Sequence, residues 1–342
     1  MDRALYGPTG FFVSGAGPAA HFRTSVHATP AFTSALFRLL TQVDAALGHP
    51  AVLAVVDVGA GRGELLRALL EAVARPSAPA DPMPAAPVPL ADRVRLTAVE
   101  KAPRPEDLPG RIEWSDHLPH GITGLLLATE WLDNVPLDIA VSTDGGWRYL
   151  LVDPATGEET VGEPVDAADA DWLDRWWPTS TGSASRAVGG RAEIGRTRDE
   201  AWADAVRHVD RGLALAVDYG HLRDGRPWHG TLTGYRHGRQ VPPVPDGSTD
   251  VTAHVAMDSV ASAGERVARC AYSLVSQREA LRALGADGGR PPLGLAARDP
   301  AGYVRALAAA SAVAELADPT GLGGHWWLRQ PVGVDPTPFM AR

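Results

Sequence analysis

The 342-residue chain has one cysteine, one lysine, few aromatic residues and no long apolar run. Each shortage excludes something. A single thiol, Cys270, cannot close an intramolecular disulfide or build a multi-cysteine zinc or iron–sulfur site. It lies in Arg269-Cys270-Ala271-Tyr272 beside apolar alternation and reads as a buried, inert thiol. No stretch approaches the ~18 apolar residues that span a bilayer, so no membrane span is expected. The opening residues Met1-Asp2-Arg3-Ala4-Leu5 lack the apolar core of a secretory signal, which makes the cytoplasm the expected location. Lys101 is the only lysine, so arginine carries nearly all the positive charge. The 32 basic residues fall short of the 41 acidic ones, leaving a net charge of −9. That balance argues against a nucleic-acid partner held by phosphate neutralisation. Composition gives no oligomeric state.

What is present suits a folded chain. Hydrophobic residues make up 45% and charged residues 21%, and the length allows a full core in one large or two moderate domains. Residues 30–47 carry Phe32, Leu36, Leu39, Leu40 and Val43 at helical spacing. Residues 52–58 are apolar except for Asp57, the pattern of a strand buried on both faces. A helix is expected over 64–74, with strands over 94–99, 112–114 and 124–128. A hairpin is expected from 139–141 and 147–152 around Thr143-Asp144-Gly145-Gly146. A tryptophan-rich helix over 167–177, a helix over 197–209 and an apolar strand over 212–217 follow. The last third shows helices near 276–284 and 300–316 and an aromatic strand over 325–328. Six prolines between 75 and 90 exclude helix and ladder there and mark a solvated loop. A Gly/Ser loop is expected over 179–191. Strands alternating with helices predict an α/β fold with a parallel sheet covered on both faces.

The strongest chemical signal is Val56-Asp57-Val58-Gly59-Ala60-Gly61-Arg62-Gly63-Glu64, set between that apolar strand and an amphipathic helix. Glycine lets the backbone turn sharply and a ligand approach the main chain, and a helix start offers free N–H groups. The spacing is G-x-G-x-G, not the G-x-G-x-x-G of a dinucleotide loop, and an acid stands two residues ahead. It resembles the first motif of class I S-adenosylmethionine methyltransferases. That cofactor has no pyrophosphate; its ammonium and carboxylate call for an acid and backbone amides. Asp57, Gly59, Gly61 and Gly63 are therefore candidate cofactor residues. Glu100, ending the next strand, is placed to hold both ribose hydroxyls. Asp116, after the third strand, is placed either to meet the adenine amine or to cap the next turn. NAD(P) or FAD is the competing ligand.

Further segments resemble one family. They are Tyr6-Gly7-Pro8-Thr9-Gly10-Phe11-Phe12, His21-Phe22-Arg23-Thr24-Ser25, Ala128-Thr129-Glu130-Trp131-Leu132-Asp133-Asn134-Val135-Pro136 and Asp218-Tyr219-Gly220. Thr231-Leu232-Thr233-Gly234-Tyr235-Arg236-His237, Asp250-Val251-Thr252-Ala253-His254-Val255 and Ser276-Gln277-Arg278-Glu279-Ala280-Leu281 complete the set. In order and spacing they resemble the MidA family of S-adenosylmethionine-dependent methyltransferases. That family includes the mitochondrial complex I assembly factor that methylates an arginine. The chain departs from its pattern at Thr129, where the family has asparagine, at Asp57, where glutamate is common, and in the 75–90 insertion. The resemblance implies S-adenosyl-L-methionine as cofactor and a class I (Rossmann-like) sheet with an inserted, partly helical substrate subdomain. It implies methyl transfer to an arginine of a protein. A small-molecule O- or N-methyltransferase and a non-catalytic cofactor-binding assembly factor are the alternatives.

The expected divisions are an entry segment and helix over 1–50, a cofactor-binding core over 51–152 and an inserted subdomain over 153–196. The rest of the sheet, with substrate-side loops, takes 197–342. Ligands in open α/β sheets lie beyond the carboxyl ends of the strands. Glu130 and Asp218 are strand-end acids, and Asp133 follows Glu130 by three residues. Glu130, Asp133 and Asp218 are thus the candidate catalytic residues, the first two suited to a planar guanidinium or else to a helix cap. Tyr219 and His237 are further polar candidates. Trp172, Trp176 and Trp177 are expected to pack a lid or subunit contact, and Asp250, Thr252 and His254 alternate as a strand facing a cavity would. No metal site is expected.

Overall fold

The apolar runs form the inner strands of a seven-stranded sheet in a computed structural model. The structure describes residues 1–14, 30–75, 88–177, 188–286 and 288–340. The strands are β1 (Leu53–Val58), β2 (Val94–Val99), β3 (Ile112–Ser115), β4 (Ile122–Thr129), β9 (Val209–Asp218), β15 (Ser273–Ser276) and β16 (Trp326–Val332). Their order is β15-β16-β9-β4-β1-β2-β3. From β3 to β9 every pairing is parallel, and β16 runs antiparallel to both neighbours. The expected α/β, class I sheet is therefore present.

Period-two alternation divides the strand side chains between two cores. Val55, Leu125, Leu127, Leu213 and Leu215 meet the helices Pro30–Ala46, Glu64–Ala74 and Gln277–Ala283 on one face. Val56, Val58, Leu126, Ala214 and Ala216 meet the helices Arg196–Arg207 and Met257–Ala268 on the other. β15 has no counterpart in the sequence reading. Four residues, two of them serine, are too short for a legible alternation, and the strand hydrogen-bonds only to β16.

A second, antiparallel sheet stands apart, formed by β5 (Asp138–Thr143), β6 (Gly146–Val152), β7 (Glu159–Pro164) and β8 (Arg191–Ile194) in the order β7-β6-β5-β8. The hairpin β5–β6 lies in this sheet, so the division expected between 152 and 153 falls inside it. The helix Ala167–Trp176 packs on it through Trp172 and Leu173, against Ala140, Ala192 and Ile194. Trp172 Nε1 donates to Asp199 Oδ2 at 2.8 Å and Ser259 Oγ at 3.1 Å, tying this unit to both helices on that face of the main sheet. Trp172 and Trp177 are thus buried packing residues.

Short strands follow β9 in the chain. β10 (Gly220–His221) pairs with β14 (Val255–Ala256), and β11 (Thr233–Arg236) lies between β12 (Arg239–Val241) and β13 (Asp250–Thr252). The N-terminal helices Asp2–Tyr6 and Phe11–Ser14 dock on β13 through a cluster of Ala4, Leu5, Phe11 and Val251. Residues 15–29, with His21-Phe22-Arg23-Thr24-Ser25, lie outside the described residues, as do most of the proline-rich segment (76–87) and of the Gly/Ser loop (178–187).

Candidate functional site

Register brings the strand ends level. Val58 pairs with Val99 on one side and Ala128 on the other, and Thr129 pairs with Val217. The glycine loop, Glu100, Glu130 and Asp218 therefore leave the sheet along one edge.

Gly59, Gly61 and Gly63 have φ of 70°, 58° and 80°, the left-handed region that favours glycine. Space forbids a side chain as well: a Cβ on Gly59 would lie 2.9 Å from Trp131 Cδ1, and one on Gly63 would lie 2.7 Å from Leu108 Cδ1. The amides of Gly59 and Ala60 donate to the Val99 carbonyl at 3.0 and 3.3 Å, which folds the loop over the end of β2. Glu100 Oε2 accepts from Gly61 N at 3.0 Å, and its Oε1 accepts from Lys101 N at 2.6 Å and Ala102 N at 3.3 Å. Asp57 is buried beneath the loop. Burial, then the charges of Glu100 and Glu64, push its carboxyl up to about 8. Asp116 is exposed, paired with His117 at 2.5 Å, and its carbonyl accepts from Lys101 Nζ at 3.0 Å.

Asp57, Gly59, Gly61, Glu100 and Asp116 line one cavity of about 910 Å³ together with Glu130 and Asp133. Gly63 forms the turn behind it, as the N-cap of the helix Glu64–Ala74. Among the described residues, eight carboxylic side chains line this cavity against two cationic ones, Arg62 and Lys101, so the field of these residues favours cations.

The three acids expected at the reacting end occupy different places. Glu130 has φ 51°, and its N–H donates to Val217 O at 2.8 Å, closing β4 against β9. The chain then makes a 3₁₀ turn, Leu132–Asn134. Asp218 lies beneath that turn, fully buried and outside the cavity lining. Its Oδ2 accepts from Leu132 N at 3.0 Å and Asp133 N at 3.3 Å, and its Oδ1 accepts from Tyr219 N at 3.0 Å. Burial, with Asp133 and Glu130 nearby, holds its carboxyl well above the usual range. Asp133 lines the cavity although nearly all of its surface is covered. Its Oδ2 accepts from the Tyr219 hydroxyl and, at 2.7 Å, from Thr252 Oγ1. Its Oδ1 is buried and, among the described residues, has no hydrogen bond of ordinary geometry, although the adjacent Asn134 N–H lies near enough to lower this carboxyl. Burial raises this carboxyl, against the lowering effect of Tyr219, Thr252 and Arg198.

The alternation of Asp250 and Thr252 brings both under the turn: Thr252 meets Asp133, and Asp250 Oδ1 accepts from Asn134 Nδ2 at 2.8 Å. His237 is exposed in the turn between β11 and β12 and does not line the cavity. Cys270 is half-buried, and burial raises its thiol, which keeps it protonated at neutral pH.

Sequence reasoning missed Arg198. Its buried guanidinium donates to the carbonyls of Val135 (3.1 Å), Ala253 (2.9 Å), His254 (2.9 Å) and Asp133 (2.5 Å). Its partners lie 55 to 65 residues away in sequence, so no local pattern could reveal it. Trp131, packed on Gly59, and Tyr6 and Phe12, which also line the cavity, were quoted in motifs without a role.

A family model describing S-adenosyl-L-methionine-dependent methyltransferases matches residues 36–274. A search among curated proteins finds no match. Two crystal structures from Burkholderia thailandensis are similar in fold. One, a COG1565 superfamily member bound to S-adenosyl-homocysteine, is 23% identical with a TM-score of 0.74, covering 98% of this chain and 87% of that one. The other, a native structure from the same superfamily, is 24% identical with a TM-score of 0.72, covering 98% and 86%.

Proposed function

The chain belongs to a family of S-adenosyl-L-methionine-dependent methyltransferases, and from that premise we propose that the methyl acceptor is an arginine guanidinium of a protein. The cavity fits the cofactor. Gly59 and Gly61, both in the left-handed region, border it, Asp57 lies beneath them, and Glu100 ends the neighbouring strand. Asp57 and the loop amides would hold the amino-acid end and Glu100 the ribose, with Asp116 at the adenine side. When bound, the cofactor supplies an electrophilic methyl group on a sulfonium.

The observation that carries the acceptor reading is the pair of carboxylic residues, Glu130 and Asp133, that line the cavity three residues apart beyond the end of β4. Tyr219 and Thr252 fix one oxygen of Asp133, so the carboxylate is held before an acceptor arrives. Glu130 supplies a second carboxylic side chain to the cavity lining, and two acids match a planar cation with several N–H groups. A guanidinium nitrogen that gains a methyl group must lose a proton. Asp133, whose proton affinity burial has raised, is the group placed to take it. The resemblance to the MidA family and the excess of acids around the cavity support the same acceptor.

The test is turnover with methyl-labelled S-adenosylmethionine on arginine-containing peptides and on a protein extract, followed by acid hydrolysis. Label recovered as methylarginine is the expected result. Label only on oxygen, or only on a small molecule, overturns the acceptor. No transfer by protein that still binds S-adenosylhomocysteine overturns catalysis itself.

A further inference from the structure

The N-terminal helices bring an aromatic surface to the cavity that the acceptor chemistry does not use. Tyr6 and Phe12 both line it. Their rings stack at 5.6 Å between centroids with 24° between planes, and Phe11 meets Phe12 edge-on at 5.2 Å and 82°. Tight backbone packing holds the pair in place. A Cβ on Gly10 would lie 2.6 Å from the Leu5 carbonyl, and one on Gly247 would lie 2.2 Å from the Thr9 carbonyl oxygen. Ala4, Leu5 and Phe11 are buried against Val251. The Tyr6 hydroxyl donates to Asn134 O at 3.4 Å, at the turn that carries Asp133. Burial raises the phenol far above its usual range, and the carboxylates of Glu100, Asp133 and Asp250 act on it in the same direction. Tyr6 therefore stays neutral and lies within electrostatic reach of both Glu100, at the end of β2, and Asp133, at the acceptor side.

We propose that Tyr6 and Phe12 form an aromatic face that recognises the positive sulfonium of S-adenosylmethionine, so that this cavity holds the charged cofactor in preference to its neutral product. An aromatic ring attracts a cation through the negative potential of its face, most strongly where water is excluded. The region between the ribose acid and the acceptor acid is where the reacting group of the cofactor must lie. S-adenosylmethionine and S-adenosylhomocysteine share adenine, ribose and amino acid, and they differ in the methyl group and the charge that it brings. Hydrogen bonds from Asp57, the loop and Glu100 go to parts that the two compounds share; the carboxylates around the cavity favour the charged compound from a distance, and an aromatic face adds a contact at the sulfur itself. The proposal concerns the cofactor alone and does not depend on the identity of the acceptor.

The experiment is calorimetric titration of the full chain with each compound separately, for wild type, Tyr6→Leu, Phe12→Leu and Tyr6→Phe. Wild type is expected to bind S-adenosylmethionine more tightly than S-adenosylhomocysteine. Tyr6→Leu and Phe12→Leu are expected to lose roughly 3- to 30-fold in affinity for the charged compound and to change little toward the neutral one. Tyr6→Phe keeps the face and should keep the preference. Equal losses for both compounds would show that the rings stack on adenine or only hold the fold, and would overturn the proposal. Unchanged affinities in both leucine variants would overturn it as well. Melting temperatures of the four proteins separate misfolding from loss of recognition.

Discussion

Glu130 is the residue whose backbone and side chain give the sharpest readings. A non-glycine residue at φ 51° is held there at a cost of about 1–3 kcal/mol, a pattern common where a site dictates the conformation. Glu130→Gln keeps the shape and removes the charge. Methyl transfer should fall by ten- to a hundredfold or more while affinity for S-adenosylhomocysteine stays within a few-fold, because the lost interaction belongs to acceptor or transition state. Glu100 gives the opposite pattern: Glu100→Ala should weaken S-adenosylhomocysteine binding roughly ten- to a hundredfold, measured by calorimetry. Asp57 adds a pH signature. Its carboxyl, ordinarily near 3.8, is raised to about 8. The folded protein thus keeps a proton there that the unfolded chain releases, and this group's contribution to stability falls as pH rises from about 4 to 8. Asp57→Asn removes the slope, so its melting temperature relative to wild type should climb across that window. A ligand ammonium beside Asp57 favours the carboxylate, so binding near pH 7 should release a proton. Calorimetry in buffers of different ionisation enthalpy would detect that release, and it should vanish in Asp57→Asn.

Among the elements, the helix Pro30–Ala46 is fixed to the sheet by a buried pair. Arg93 Nη1 and Nη2 grip Asp44 at 2.7 and 2.8 Å, and Asp44 also meets His49 at 2.8 Å. Arg93→Ala leaves the Asp44 carboxylate with His49 as its partner and removes a two-pronged grip, so it should be destabilising, read as a lower denaturation midpoint with unchanged slope. Elements of this kind were legible in the sequence wherever a single segment carried the signal. The helix over 64–74 appears at those bounds because Leu65, Leu66 and Leu69 repeat on one face, and β1 and β2 because apolar runs end at chemical residues. Their register then delivers Asp57, Glu100 and Glu130 to one edge, and the glycine spacing could be read before any coordinates. What escaped depends on partners distant in the chain. Asp218 carries the look of a catalytic acid but spends its oxygens on three amides of the turn and strand end. Arg198 has no motif because its contacts are carbonyls of other segments. The β5–β6 hairpin was recognised as a hairpin, yet which sheet it joins is decided by β7 and β8, beyond its own residues.

At the scale of the whole molecule, a net charge of −9 and a cavity rich in carboxylates would act together on the cationic acceptor proposed above. Screening shortens the reach of that field to about 8 Å at physiological ionic strength. For an arginine-containing peptide, kcat/KM should therefore drop as salt is added, chiefly through KM, whereas an uncharged acceptor would show little dependence; equal salt effects on both would remove steering from the account. The placement of β16 bears on how the protein comes into being on the ribosome. It lies between β9 and β15, hydrogen-bonded on both sides, although it follows every other strand of the sheet in the chain. Until residues 326–332 have emerged, β9 presents an unpaired edge of backbone N–H and C=O groups, and β15 has no strand to join. The parallel half from β3 to β9 can assemble before β16 exists, but the sheet closes only when Trp326–Val332 enters between β9 and β15. A chain lacking Trp326–Val332 would present that slot to strands of other chains and should aggregate where the intact sheet does not.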